Sequence, residues 1–500
     1  MSITDPVATH AQFNPQGQAL LDLESGRRWT YAELHAAVDR MAAWLAGEFG
    51  PASGVRVGTL AKNCAEMLIL QLACVRSGCI FVPLNWRLAP PEIDVLTEDA
   101  GPAILFNDKE FDAPATAGRA MPIAATLDLG SSGTVPPVHA RRPFDEVTTL
   151  LYTSGTSGRP KGVMLSEENI FWGCVNFIFG NDVTMHSVFL CDMPLFHTAG
   201  LLAASRVPLQ AGASVLISRG FDAPATLARL ADPRLKVTHY FSVPQMAAWI
   251  WNEPDFEAER LHSLVCWAIG GAPNPRANAE RFVNAGIRIA DGFGMSEICS
   301  AFGMPPFDPD TLLSKVGSCG LPFISIETRI VDTAGNDMPP GEVGELWLRG
   351  PSITRGYWNQ PEATAAAFSD GWFMTGDAGM LDEDGFLYIV DRQKDMFISG
   401  GENVYPAEVE AIIAELAGVA ESAVVGVADE KWGEVGRAYI VPVPDCSVTA
   451  ENIVEHCKQR LAKFKVPKTV IITDTLPRTA SGKLQKHILK ARAEQEIAAN

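Results

Sequence analysis

Short apolar runs alternate with amphipathic helical stretches along this chain, and that alternation constrains its fold more than any other feature. "SVLIS" at 214–218 and "AYIVPV" at 438–443 read as strands, while "TYAELHAAVDRMAAWLAGEF" at 30–49 places its apolar residues at helical period. This is the rhythm of α/β layers, so an α/β fold is predicted. With 500 residues, 47% of them hydrophobic, there is material for several cores. No internal repeat is found. The sharpest compositional break is "DRQKD" at 391–395, a charged stretch between the apolar runs Phe386 to Val390 and Met396 to Ile398. It divides the chain into a large α/β domain, 1–393, and a small α+β domain, 394–500. In the latter, the pattern predicts a helix from Ala407, strands near Val424 and Tyr439, a helix from Thr449 and a strand near Val470.

A formal net charge of −19 argues against a nucleic-acid partner, because phosphate backbones call for clustered Lys and Arg. The first residues, "MSITDPVATHAQ", show neither a basic n-region nor an apolar h-region, and no run approaches 18 apolar residues. Cytoplasmic residence without a membrane span is therefore expected. Ten cysteines occur with no C-x-x-C pair and read as reduced, mostly buried thiols, with no metal cluster.

One stretch carries chemistry on its face. In "YTSGTSGRPKG", residues 152–162, glycines and small hydroxyls let N–H and O–H groups converge on phosphate oxygens while Lys161 supplies charge. The flanking runs, Val147 to Tyr152 and Gly162 to Leu165, predict strand, loop, strand, with Ser166 capping a helix. A Walker loop would need Lys followed by Ser or Thr at a helix start, so that reading fails. A plain Ser/Gly-rich surface hairpin is the alternative.

Three further segments follow in order: "DGFGMSE" at 291–297, "TGDAGMLDEDGFLYIVDRQKDMFISGGENVYPAEVE" at 375–410 and "LPRTASGKLQKHIL" at 476–489. With the 150–166 segment they resemble the adenylate-forming superfamily over nearly the whole chain, most closely its acyl-CoA and aryl-CoA ligases. The resemblance implies a large multi-subdomain N-terminal domain with a small mobile C-terminal one. It also implies ATP, coenzyme A and Mg2+ as cofactors, a small-molecule carboxylic acid as substrate, and allows a homodimer. The activity implied is attack of a carboxylate on ATP, giving an acyl adenylate and pyrophosphate, then transfer of the acyl group to the coenzyme A thiol. A stand-alone adenylation enzyme loading a carrier-protein thiol, and a non-catalytic nucleotide-binding homologue, are the alternatives.

The resemblance also assigns roles. Thr153, Ser154, Gly155, Thr156, Ser157, Gly158 and Lys161 would hold the β- and γ-phosphates. Glu297 matches the magnesium-binding carboxylate and Ser296 the hydroxyl at the α-phosphate, where the family often has Thr. Asp291, Gly292, Phe293, Gly294 and Met295 would line the nucleotide, with Phe293 stacking on adenine in place of the family's Tyr, and Gly271, Ala272 and Pro273 would pass beside the base. Asp377, which on its own reads as a Gly-Asp turn residue, would accept the ribose hydroxyls, Arg392 would hold the same ribose from the domain boundary, and Ile389 would belong to the cofactor-binding set. Lys483 matches the lysine that neutralises carboxylate and α-phosphate oxygens during adenylation. Lys394 falls at the hinge, and Gly400, Gly401 and Glu402 would line a thiol tunnel after rotation. His197, beside Phe196, would stand at the carboxylate pocket. Segments 241–244, 269–272 and 294–301 would line the acyl site, suiting an aryl, phenylpropenoyl, medium-chain or ring-bearing acid.

Overall fold

The structure is a computed structural model that describes residues 5–130, 142–153, 160–272, 274–305, 308–392, 395–399, 402–429, 432–444, 446–461, 463–478 and 484–498. The chain divides into two compact units: Met1–Thr328 with Leu348–Phe373, and Arg329–Trp347 with Met374–Asn500. Residues 393 and 394, at which the sequence pattern places the domain boundary, lie outside the described residues.

Two sheets carry the larger unit. One has nine strands, and six of them run parallel in the order Ile289–Phe293, Cys266–Gly270, His239–Ser242, Val188–Cys191, Ser214–Ile217 and Gln18–Asp22. Short antiparallel strands extend both edges. The parallel strands read as continuous apolar runs because helices cover both faces, leaving Tyr240, Trp267 and Phe189 almost wholly buried. The other sheet has six strands and ends in an antiparallel hairpin of Val147–Thr153 and Lys161–Ser166. The hairpin's two strands are those the sequence predicts, while 154–159 between them lie outside the described residues. Ser166 then caps the Glu167–Gly180 helix, its hydroxyl accepting from the Asn169 amide while the Asn169 side chain accepts from the Ser166 amide. Thr30 and Glu33 form the same reciprocal cap on the Tyr31–Phe49 helix.

In the smaller unit, the helices Pro406–Ala414 and Ala450–Lys458 and the strands Val419–Asp429, Gly433–Pro442 and Thr469–Ile472 match the predicted α+β pattern. Along Val419–Asp429, Val424 packs with Val409, Ile413 and Ile453 on one face, while Ala423, Val425 and Val427 face Leu489 and Ala493 on the other. Among the described residues this strand pairs only with Gly433–Pro442, yet it is buried on both faces, as a period of two with apolar residues at both phases requires. All ten cysteines are free, seven of them buried. Among the described residues no helix is long and apolar enough to cross a membrane.

Candidate active site

Four neighbouring parallel strands end at one edge of the nine-stranded sheet, and the segments that leave them carry most of the residues singled out in the sequence. Val188–Cys191 runs on to His197, His239–Ser242 to Pro244, Cys266–Gly270 to Gly271 and Ala272, and Ile289–Phe293 to Glu297. The register fixes two of these segments side by side, since Ile269 pairs with Asp291 and Gly270 with Gly292. In open α/β sheets this carboxyl edge is where ligands bind. Two glycines have steric reasons to be there. A Cβ on Gly294 would stand 2.1 Å from the Cys299 carbonyl oxygen, and Gly271 has φ +83°.

The side chains at this edge are held individually. Asp291 is 8% exposed and accepts from Asn274 Nδ2 at 2.9 Å, while its carbonyl accepts from the Met304 amide at 2.8 Å. Burial raises the Asp291 carboxyl to about 7, against the opposing effect of the Asn274 bond. Asn278 donates in turn to Asn274, so the segment after Gly271 is pinned to the first turn of the Arg276–Asn284 helix. Phe293 meets Phe302 edge-on at 6.2 Å. His197 lies 4.6 Å from the Phe196 ring at 61°, and its carbonyl accepts from the Leu201 amide. A π-helix follows at Ala199–Arg206, an uncommon element that clusters at functional sites. Its last residue, Arg206, is buried and donates to both Glu167 oxygens at 3.3 and 2.7 Å.

Glu297 is 7% exposed, and its Oε1 accepts from the Tyr357 hydroxyl at 3.0 Å. Sequence reasoning missed Tyr357. It lies in 354–360, a segment that runs along the outer strand of the hairpin of Val147–Thr153 and Lys161–Ser166. Val163 and Tyr357 form an antiparallel bridge, the Trp358 amide donates to the Gly162 carbonyl at 2.7 Å, the Met164 amide to the Gly356 carbonyl, and Gln360 Nε2 to the Pro160 carbonyl. The same segment reaches the Glu297 backbone, whose carbonyl accepts from the Thr354 amide at 2.7 Å. Lys161 places its ammonium 4.5 Å from the Tyr357 ring centroid. The only local signal is an aromatic pair after a glycine, "GYW", which names no partner.

In the smaller unit, Asp377 lies within the Trp372–Leu381 strand rather than in a turn, 3% exposed, with its amide donating to Thr375 Oγ1 at 3.0 Å. Gly376 takes φ +69° just before it, so the glycine serves a distortion inside a strand. Asp377 pairs across the ladder with Arg392, and Gly379 with Ile389. The two residues assigned to ribose thus share one position of one ladder. Ser154, Gly155, Thr156, Ser157, Gly158, Pro273, Lys394, Gly400, Gly401 and Lys483, and the side chains of Arg392 and Glu402, lie outside the described residues. The segment that contains Lys483 is bounded by an Arg478–Leu484 bridge, a Gln485 amide donating to the Pro477 carbonyl, and a Lys486–Glu410 ion pair of 2.9 Å. Among the described residues no cluster of three or more His, Cys, Asp or Glu side chains could hold a metal ion. A single buried carboxylate such as Glu297 suits Mg2+, which takes one or two protein carboxylates and fills its octahedron with phosphate oxygens and water.

The profile of the AMP-binding enzyme family matches residues 7–358, and that of the AMP-binding enzyme C-terminal domain matches 408–483. Over 485 residues the chain is 39% identical to a feruloyl-CoA synthase of Amycolatopsis sp, covering 96% of this chain and 97% of the relative. It is 36% identical over 502 residues to an indoleacetate–CoA ligase of Aromatoleum aromaticum, covering 97% of each. Among solved structures, o-succinylbenzoate CoA synthetase from Bacillus subtilis, in complex with the acyl-adenylate intermediate, superposes with a TM-score of 0.89 at 34% identity over 98% of both chains. ATP-bound MatB from Rhodopseudomonas palustris gives 0.90 at 30% identity over 99% of both. A likeness that holds in two profiles, in full-length relatives and in the architecture of both domains makes this chain a member of the AMP-binding enzyme family, with the adenylate-forming fold.

Proposed function

We propose that the protein is an ATP-dependent acid–thiol ligase that joins an aromatic carboxylic acid to coenzyme A through an acyl adenylate. The acid's carboxylate attacks the α-phosphorus of ATP and pyrophosphate leaves; the coenzyme A thiol then attacks the acyl carbonyl and AMP leaves. The observation that carries this reading is the tie between the phosphate-loop hairpin and the carboxyl edge of the sheet: Lys161, Tyr357 and Glu297 form one contiguous group in the larger unit. An anionic nucleophile and an anionic phosphate repel each other, so the reaction needs cationic and donor groups fixed beforehand.

Lys161 and the hydroxyls from Thr153 onward would bind the outer phosphates, Ser296 the α-phosphate, and Lys483 the oxygens that gain charge as pyrophosphate departs. Mg2+, held by Glu297, would supply charge neutralisation at the phosphates. Gly271 and Ala272 would flank adenine, with Phe293 against its face and Asp291 beside it, and Asp377 and Arg392 would hold the ribose. Rotation of the 394–500 domain at Lys394, bringing Gly400, Gly401 and Glu402 to the thiol, would serve the second half-reaction.

An aromatic acid is favoured by the likeness to a feruloyl-CoA synthase and an indoleacetate–CoA ligase. It is also favoured by the apolar character of Phe196, Phe241, Val243 and Ile269 at the same edge. A cytoplasmic place of work is supported by the ten free thiols. The test is a panel of aryl, phenylpropenoyl and medium-chain acids assayed for pyrophosphate release with and without coenzyme A. Thioester formation with an aromatic acid is expected; adenylation that never yields a coenzyme A thioester would refute the ligase reading. The homodimer allowed by the resemblance is tested by light scattering.

A further inference from the structure

We infer that Tyr357 is a positioning residue that ties the stem of the phosphate-loop hairpin to the magnesium-binding carboxylate Glu297. The inference deepens the ligase reading and rests on its assignment of Glu297 and Lys161. Tyr357 is 7% exposed, and its hydroxyl donates to Glu297 Oε1 at 3.0 Å. A glutamate has three side-chain torsions, and one directed donor removes most of that freedom while leaving Oε2 for a cation. The tyrosine is in turn immobilised on the hairpin. Its Cα pairs with Val163, its amide donates to Thr364 Oγ1 at 2.9 Å, and its neighbour Trp358 donates to the Gly162 carbonyl. Thr354, three residues earlier, holds the Glu297 carbonyl from its amide and the Met164 carbonyl from its hydroxyl at 2.6 Å. Backbone and side chain of Glu297 are therefore both referenced to the outer hairpin strand, through a segment that belongs to neither.

Lys161 adds an electrostatic link. Its ammonium, 4.5 Å from the ring centroid, draws electron density from the phenol and makes the hydroxyl a better donor toward the carboxylate. The lysine assigned to the outer phosphates and the carboxylate assigned to the metal are coupled through one ring. Groups that orient a metal ligand are typically worth about 10- to 100-fold in metal affinity.

The test uses Tyr357→Phe, which keeps the ring against Lys161 and Val163 and removes only the hydroxyl, together with Glu297→Gln and the double variant. Mn2+ affinity is read by paramagnetic resonance in the presence of adenosine 5′-(α,β-methylene)triphosphate. Melting temperatures are recorded to establish that all three variants are folded. Tyr357→Phe is expected to weaken Mn2+ binding about 10- to 100-fold, and to add less than about twofold once Glu297 is already Gln. Wild-type Mn2+ affinity in Tyr357→Phe, or an equal loss in the Glu297→Gln background, would overturn the inference. Because metal affinity rather than turnover is measured, a chain that made no thioester with any acid would sink the ligase reading and leave the coupling of Tyr357 to Glu297 still open to measurement.

Discussion

Replacing Asp291 with Asn should stabilise the protein, and by an amount that depends on pH in a defined way. Burial raises this carboxyl from 3.8 to about 7 in the folded chain. In the unfolded chain it ionises near 3.8. Below that value both states carry the proton and the group contributes no difference. As pH rises toward 7 the unfolded state has lost its proton while the folded state keeps it, so stability falls by about 1.4 kcal/mol per unit. Above 7 both are ionised and the penalty levels off at about 4 kcal/mol, from a shift of roughly three units. Asparagine fills the same volume and its carbonyl oxygen can still accept from Asn274 Nδ2, so the variant keeps the bond and loses the titration. Urea unfolding followed by tryptophan fluorescence, with both proteins measured from pH 5 to 8, gives the gap directly. The Asn variant should be ahead by about 1.5 kcal/mol at pH 5 and by up to about 4 kcal/mol at pH 8. A gap that does not change with pH, or a variant less stable than wild type at pH 8, would show that the carboxyl is not held protonated by its surroundings.

Three other substitutions separate the two half-reactions. Lys483→Ala should lower acyl-adenylate formation by about 100-fold or more while sparing thioester formation from supplied acyl-AMP, as measured in single turnovers; equal losses in both would refute that division. Gly401→Leu should slow the thiol step alone, seen as a raised KM for coenzyme A with pyrophosphate release unchanged; normal coenzyme A kinetics would count against a tunnel at Gly401. Lys394→Pro fixes φ near −65° and removes an N–H, so adenylation should proceed near the wild-type rate while transfer slows by orders of magnitude. Unimpaired turnover of the folded variant would place the hinge elsewhere or remove the need for one.

Local patterns in the sequence reached those parts of the fold that local chemistry determines. Ser166 with Asn169 and Thr30 with Glu33 are caps written within four residues, and the strands around Val424, Tyr439 and Val470 announce themselves by apolar, β-branched character. Clustering of His197, Gly271, Phe293 and Glu297 at one edge is a property of strand order, which periodicity does not encode, and it was reachable only through the family resemblance. Asp377 looked like a turn residue because Gly-Asp is turn chemistry in isolation, whereas the ladder to Arg392 keeps it in a strand and leaves Gly376 to absorb the distortion. "AGLLAASR" carries no sequence mark of the π-helix it forms, whose last residue, Arg206, donates to Glu167 on another helix. Cys299 holds φ +65° in the loop after Glu297, a conformation the sequence would have assigned to glycine. Tyr357 was invisible for the same reason, since Lys161, Val163 and Glu297 are all remote from it in the chain.

That remoteness has a consequence for biosynthesis. Pro160 and Met164 find their partners in Gln360 and Thr354, 200 and 190 residues later. Until then the Lys161–Ser166 strand is the outermost of its sheet, with one row of backbone groups facing outward. On a ribosome adding 5 to 20 residues per second, that row waits roughly 10 to 40 seconds for its cover. An open strand edge is a template for pairing with other chains, so the nascent protein passes through a window in which the Lys161–Ser166 edge is open to such pairing. The 354–360 segment closes that window, and the same stroke that seals the edge brings Tyr357 to Glu297.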